Sequence, residues 1–143
     1  MSKLIEFIYD IGKVFTSGYN VNDALNHSIN IFVKLCKVTR LMVHIYLEEA
    51  EEIVADIYRG YSESEVKRGI FKLGEGIIGS VIESGKPIVV PVIKDFPDFL
   101  NKTGSRKNDE DLASGFLCVP VKIGERTIGT ISVDIPQGVS ASE

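Results

Sequence analysis

The stretch Gly74-Glu75-Gly76-Ile77-Ile78-Gly79-Ser80-Val81-Ile82-Glu83-Ser84-Gly85-Lys86-Pro87-Ile88-Val89-Val90 constrains the fold more than any other part of the chain. Its G-x-G-x-x-G spacing invites a dinucleotide-binding reading. That reading needs a buried strand before it, a full crossover helix after it and an acidic residue about 20 positions on. Asp95 lies near that offset, but Gly69 to Leu73 is only a short amphipathic piece and a helix from Gly76 must stop at Gly85. Parallel crossovers need about a dozen or more residues. The spacing therefore reads as local structure. Gly74 and Gly76 supply backbone freedom at a strand-to-helix turn. Ile77, Ile78, Val81 and Ile82 form an apolar stripe at helical spacing, and Gly85 with Pro87 ends the helix before a short strand, Ile88 to Val90.

Upstream, Leu4, Ile5, Phe7, Ile8, Ile11, Val14 and Phe15 recur at helical spacing and predict a helix over 3–16. Its apolar set is broad enough to face both its own domain and something outside it. Asn20 is a candidate N-cap for a second helix through Leu25, Ile29, Phe32, Val33 and Cys36, with Asp23 suited to the helix dipole. From Thr39 the period changes to two: Leu41, Val43, Ile45 and Leu47 alternate with Arg40, Met42, His44 and Tyr46. A charged turn, Glu48 to Glu52, leads to a partner strand, Ile53 to Tyr58. A second hairpin joins Gly115–Ile123 to Thr127–Ile135 around Gly124-Glu125-Arg126. The expected architecture is α+β: an antiparallel sheet with the N-terminal helices on one face. Strand order does not follow from the sequence.

The alternation also describes the sheet's second face. Met42, His44 and Tyr46 share it in the first strand, Phe116 and Cys118 in the next-to-last, and Thr130, Ser132 and Asp134 in the last. A face so mixed is either solvated or the floor of a ligand pocket. The loop 94–114 carries Phe96, Phe99 and Leu100 and is long enough to act as a lid. The expected ligand-binding set is a floor of Met42, His44, Tyr46, Phe116, Cys118, Thr130 and Ser132 under a lid of Phe96, Phe99 and Lys102.

Bulk properties exclude several classes. At 143 residues the chain is one domain, 1–143, and a net charge of -4 leaves no electrostatic footprint for nucleic acid. No apolar run reaches the roughly 20 residues that span a bilayer. Cys36 and Cys118 stand alone in apolar surroundings and read as reduced thiols of a cytoplasmic protein.

Taken in order, Gly74-Glu75-Gly76-Ile77-Ile78-Gly79, Lys86-Pro87-Ile88-Val89-Val90, Phe116-Leu117-Cys118-Val119-Pro120-Val121 and Ile128-Gly129 resemble the GAF signature. Asp95-Phe96-Pro97-Asp98-Phe99-Leu100-Asn101-Lys102-Thr103-Gly104 is more particularly similar to the amino-terminal sensor domains of NifA-type sigma-54-dependent transcription activators. The resemblance covers the chain from the first helix to Asp134. It implies a regulatory module that binds a small molecule, dimerises through terminal helices and controls a following AAA+ ATPase domain. The chain itself has no Walker A motif and no helix-turn-helix, and Ser140-Ala141-Ser142-Glu143 reads as the capped start of a truncated linking helix. Cyclic-nucleotide GAF domains carry N-K…F…D-E after the last strand, where this chain has Asp134-Ile135-Pro136. Bilin-binding ones need a lid cysteine, which is missing.

No catalytic constellation, metal site or cofactor is expected. His27 sits among polar neighbours, and His44 reads as a satisfied interior histidine before it reads as a metal ligand, although Asp134, Tyr46 and Cys118 lie on the same side. GAF-fold methionine sulfoxide reductases use a reactive cysteine with lid partners; Cys118, between Leu117 and Val119, reads as an inert core thiol. Two readings remain: a sensor for a small anion such as an oxo-acid, held by Lys102, Arg106 and Arg40, and a ligand-free dimerisation or protein-interaction domain.

Overall fold

A computed structural model describes residues 2–16, 18 and 20–138, so the expected linking helix at Ser140 to Glu143 lies outside the described residues. The chain divides into two compact units, one built on the N-terminal residues through Val38 and one of Thr39–Gly138. In the first, α1 (Lys3–Thr16) and α2 (Val21–Cys36) meet through Phe7 and Phe32, whose rings stand edge-on with centroids 5.6 Å apart. Asn20 caps α2 as expected: its Oδ1 accepts the Asp23 amide at 2.9 Å and satisfies a first-turn donor. Along α1, Leu4, Ile5, Ile8 and Tyr9 are each more than half exposed.

The second unit is a five-stranded antiparallel sheet of β1 (Arg40–Leu47), β2 (Glu52–Arg59), β3 (Ile88–Val90), β4 (Gly115–Ile123) and β5 (Arg126–Ile135), in the order β2-β1-β5-β4-β3. Both hairpins form where period two and the turn residues predict them. The step that the sequence leaves open is the pairing of β1 with β5, which fuses the two hairpins into one sheet. Gly129 permits it, since a Cβ there would stand 2.2 Å from the His44 carbonyl oxygen. The α+β class follows the sequence expectation.

Between the hairpins lie α3 (Glu63–Arg68) and α4 (Gly76–Ser84), then a 3-10 turn (Ile93–Asp95) and α5 (Asp109–Ala113). The sequence reading overlooks α3, although Ser62 and Glu65 form a capping box: Ser62 Oγ accepts the Glu65 amide, and Glu65 Oε1 accepts the Ser62 amide at 2.9 Å. It also treats 94–114 as one loop, whereas Asn108 caps a helical turn within it. Residues 69–73 add no strand, only a single bridge from Phe71 to Ile53.

The glycine motif closes on itself. Gly74 and Gly76 have φ of 79° and 60°, the Gly74 amide donates to the Gly79 carbonyl at 3.0 Å, and a Cβ on Gly79 would meet the Lys72 carbonyl oxygen at 2.3 Å. Its spacing thus serves close backbone packing at the start of α4. Ile77, Ile78, Val81 and Ile82 of α4 then join Val90, Phe116, Cys118, Ile53 and Phe71 in one buried cluster. Burial of this kind contributes roughly 25 cal/mol per Å² of apolar surface removed from water.

Candidate functional site

Strand register sets the floor of the site. Met42 pairs with Ser132, His44 with Thr130 and Arg40 with Asp134 across β1 and β5; Phe116 pairs with Asp134 and Cys118 with Ser132 across β5 and β4. These residues therefore occupy one face in adjacent rows, as alternation predicts. A bulge between β1 and β2 falls at Val43/His44, the kind of irregularity that re-aims a side chain.

Over part of this floor lies a cavity lined by Met42, His44, Phe116 and Ser132 below, Tyr61, Phe71, Ile77 and Ile78 at the sides, and Phe99 to Thr103 with Arg106 above. About 40 Å³ of it admits the centre of a water-sized sphere, room for about three waters. Of the ten residues expected to contact a ligand, Met42, His44, Phe99, Lys102, Phe116 and Ser132 line it together. The remaining four, Tyr46, Phe96, Cys118 and Thr130, do not. Tyr46, Phe96 and Cys118 belong to the apolar cluster that α4 covers, and Thr130 is fully buried. The period of a strand reveals which face a residue occupies, but not what later packs on that face.

The roof is fastened by charge. Arg106, 6% exposed, donates from Nε to Asp134 Oδ2 at 2.8 Å and from Nη2 to Asp134 Oδ1 at 2.5 Å and to the Tyr61 hydroxyl at 2.8 Å. Its guanidinium also lies over the Phe99 ring at 4.9 Å, and Phe99 meets Phe116 edge-on at 4.9 Å. Burial works against the Arg106 charge, but Asp134 and Tyr61 together outweigh it and hold the group above its ordinary range. Burial likewise pushes the Tyr61 phenol up to about 12. Arg40 Nη1 donates to Asp111 Oδ1 at 3.1 Å and lies 3.6 Å from Asp134 Oδ2, while its Nη2 donates to the Ser105 carbonyl at 2.9 Å. The Arg40–Asp111 hydrogen bond holds the Asp111 carboxyl below its usual range.

Lys102 completes the roof. Its Nζ donates to Glu75 Oε1 at 2.7 Å and to the Ile70 carbonyl at 2.5 Å, and holds the Glu75 carboxyl below its usual range. Asn101 fixes the turn between these anchors: its Nδ2 donates to the Arg106 carbonyl at 3.0 Å, and it adopts a left-handed φ of 49°. Arg68 of α3 grips the same turn through the Thr103 carbonyl at 2.7 Å. The sequence reading names Arg106 and Asp134 without joining them, because 28 residues separate the partners. An arginine in a polar loop and an aspartate on an interior-facing strand position were the available signal.

His44 is the titratable group of the floor. It is 3% exposed, and burial lowers its pKa to about 4, so the ring is neutral at pH 7. Nε2 lies 3.2 Å from the Gly69 carbonyl. A carbonyl only accepts, so Nε2 carries the proton and Nδ1 presents a lone pair. That Nδ1 has no partner. Cys118, buried away from the cavity, has a thiol pushed up to about 12 by burial, far from the range in which thiolates react. Among the described residues no three His, Cys, Asp or Glu side chains form a group able to hold a metal, and no helix is long and apolar enough to cross a membrane.

Fold and site together define a small α+β module with a roofed, mostly apolar cavity on one face of its sheet. The GAF domain family model matches residues 19–143, and the chain belongs to that family. It is 38% identical over 132 residues to "Nitrogen fixation protein VnfA" of Azotobacter vinelandii, covering 92% of this chain and 25% of that protein. "Nitrogen fixation protein AnfA" of the same organism is 35% identical with the same coverage. The chain thus spans about a quarter of the length of these curated relatives. Among solved structures it is similar to the A. aeolicus nlh2 GAF domain in an inactive state, with 28% identity, a TM-score of 0.76, and coverage of 94% of this chain and 80% of that one.

Proposed function

We propose that this chain is the sensing module of a nitrogen-fixation-type transcription regulator, and that a small effector bound in the roofed cavity controls an attached AAA+ activator domain. The observation that carries the reading is the cavity itself: partly open, with the buried His44 in its floor, and roofed by a turn held by Lys102 and Arg106 rather than by a dry core. Similarity to the nitrogen fixation proteins VnfA and AnfA, and at 30% identity to the "Nif-specific regulatory protein" of Azospirillum lipoferum, supports the regulatory context. The mechanism is a population shift: an effector that binds better when the 101–106 turn is closed favours the closed state in proportion to that difference. Six of the expected residues, Met42, His44, Phe99, Lys102, Phe116 and Ser132, form the contact set. The reading is of a non-catalytic module, and the buried, unacidified Cys118 thiol gives no support to a sulfoxide-reductase alternative.

A second reading rests on α1. Its exposed Leu4, Ile5, Ile8 and Tyr9 suit self-association, so the module is also proposed to dimerise in the cytoplasm through this helix. A thermal-shift screen over organic acids, amino acids, amides, nucleotides and divalent metals separates the two. An effector at 100 times its dissociation constant adds about 2.7 kcal/mol of stability. Flat melting curves across such a panel leave only the interaction reading.

A further inference from the structure

The residues around the cavity are of mixed polarity, but the surface they turn to it is mostly apolar. Met42, Phe71, Ile77, Ile78, Phe99 and Phe116 supply carbon from the floor, the sides and the roof. The polar neighbours bond elsewhere. Ser132 Oγ donates to the Met42 carbonyl at 3.4 Å, and Thr103 Oγ1 accepts the Ser105 hydroxyl at 2.8 Å. The Asn101 amide serves its own turn, donating to the Arg106 carbonyl and accepting the Arg106 amide. Nε2 of His44 is held by the Gly69 carbonyl, and its Nδ1 is buried out of the cavity's reach.

Such a wall holds water poorly. A buried water needs about two to four polar partners, and apolar cavities without them stay empty. Displacing loosely held water with an apolar group gains affinity. Volume sets the second limit. The cavity measures about 40 Å³, whereas one that takes benzene measures about 150 Å³. No aromatic ring fits that space. Leu100 lines the cavity and is 48% exposed, so it marks the side on which the cavity opens.

We propose that the part of the effector that enters the cavity is a short aliphatic group of about one to three carbons, and that its polar or charged part stays at the opening beside Leu100. This rests on the sensor reading and deepens it: the cavity measures an aliphatic tail and leaves the head group to the rim. Selection by an apolar wall is graded. Each methylene taken from water contributes about fourfold in affinity, until the chain outgrows the space. A hydroxyl in place of the terminal methyl is desolvated without gaining a partner, which costs about tenfold or more.

Matched probes make the test. The chain contains two methionines, Met1 and Met42, so methyl-13C-methionine spectra of the whole chain report the cavity floor, with Met1 as internal control. Xenon, which forms no hydrogen bonds, is expected to move the Met42 methyl resonance saturably. Along methanol, ethanol and 1-propanol, affinity read at Met42 should rise about fourfold per methylene. Ethylene glycol has the shape of 1-propanol with a hydroxyl in place of its methyl, and should bind at least about tenfold more weakly. All are titrated below the concentrations that lower the melting temperature. An affinity that stays level or falls along the series overturns the inference and leaves the sensor reading standing, and so does ethylene glycol binding as tightly as 1-propanol. Failure of either xenon or 1-propanol to move Met42 saturably also overturns it, and the thermal-shift screen then decides the sensor reading by itself.

Discussion

The two ends of the inner sheet face are built from similar strands and held by different forces. At one end α4 presses Ile77, Ile78, Val81 and Ile82 onto Val90, Phe116 and Cys118, and the interface is dry. At the other, the 101–106 turn is tied to Asp134, Glu75, Ile70 and Arg68 by hydrogen bonds and ion pairs, above a cavity with His44 in its floor. Close-packed apolar contact tolerates little rearrangement, whereas charge pairs can exchange partners. The dry end therefore specifies the fold, and the polar end is where a small molecule can act.

The sharpest way to break this contrast is Asp134→Ala, which leaves Arg106 and Arg40 without their shared carboxylate. We expect a loss of about 3–5 kcal/mol in urea unfolding. Replacing the pair together, Arg106→Met with Asp134→Leu, should recover most of that loss, since only Arg40, still paired with Asp111, then lacks one partner. A small loss from Asp134→Ala would mean that the roof does not depend on this latch.

Acid should separate the ends next. Folded His44 titrates at about 4, while an unfolded histidine titrates near 6.5. Between these values the unfolded chain binds more protons, so stability is full above about pH 6.5 and falls as pH drops towards 4, by up to about 3 kcal/mol. His44→Gln should flatten the curve in that window. Losses that set in only as pH falls through the ordinary carboxylate range, about 4, belong instead to Glu65, Glu75 and Asp111, whose pKa values are also lowered. A wild-type curve level from pH 7 to 5 would contradict the burial assigned to the imidazole.

Smaller effects sharpen the comparison. Ile82→Val in the dry cluster should cost about 0.5–1.5 kcal/mol, with no dependence on salt. Lys102→Ala breaks a partly exposed pair with Glu75 and should cost only about 0.2–1 kcal/mol, diminishing as salt rises. Equal salt dependence at both positions would erase the distinction drawn here.

The dry end was largely legible in the sequence, because its information is periodic: Ile77, Ile78, Val81 and Ile82 announce a helix face, and the alternation of β1, β4 and β5 announces which residues look inward. The polar end was legible only in part. Met42, His44, Phe116 and Ser132 follow from alternation, and Phe99 and Lys102 from their place in the 94–114 segment. Tyr46, Cys118 and Thr130 have the same pattern yet fall outside the cavity, since α4 and neighbouring strands cover them. The Arg106–Asp134 latch and the β1–β5 pairing join residues far apart in the chain, and no local signal reports such a contact. α3 differs: its Ser62-Glu63-Ser64-Glu65 capping box was present in the sequence and overlooked.

The chain contains two methionines, Met1 and Met42, and Met42 lies in the cavity floor at 1% exposure. A methyl-13C-methionine spectrum therefore places one reporter under the roof. Any compound that raises the melting temperature is predicted to move the Met42 methyl resonance with the same concentration dependence. A stabilising compound that leaves the Met42 methyl unmoved would locate binding elsewhere and contradict the cavity as the sensing site.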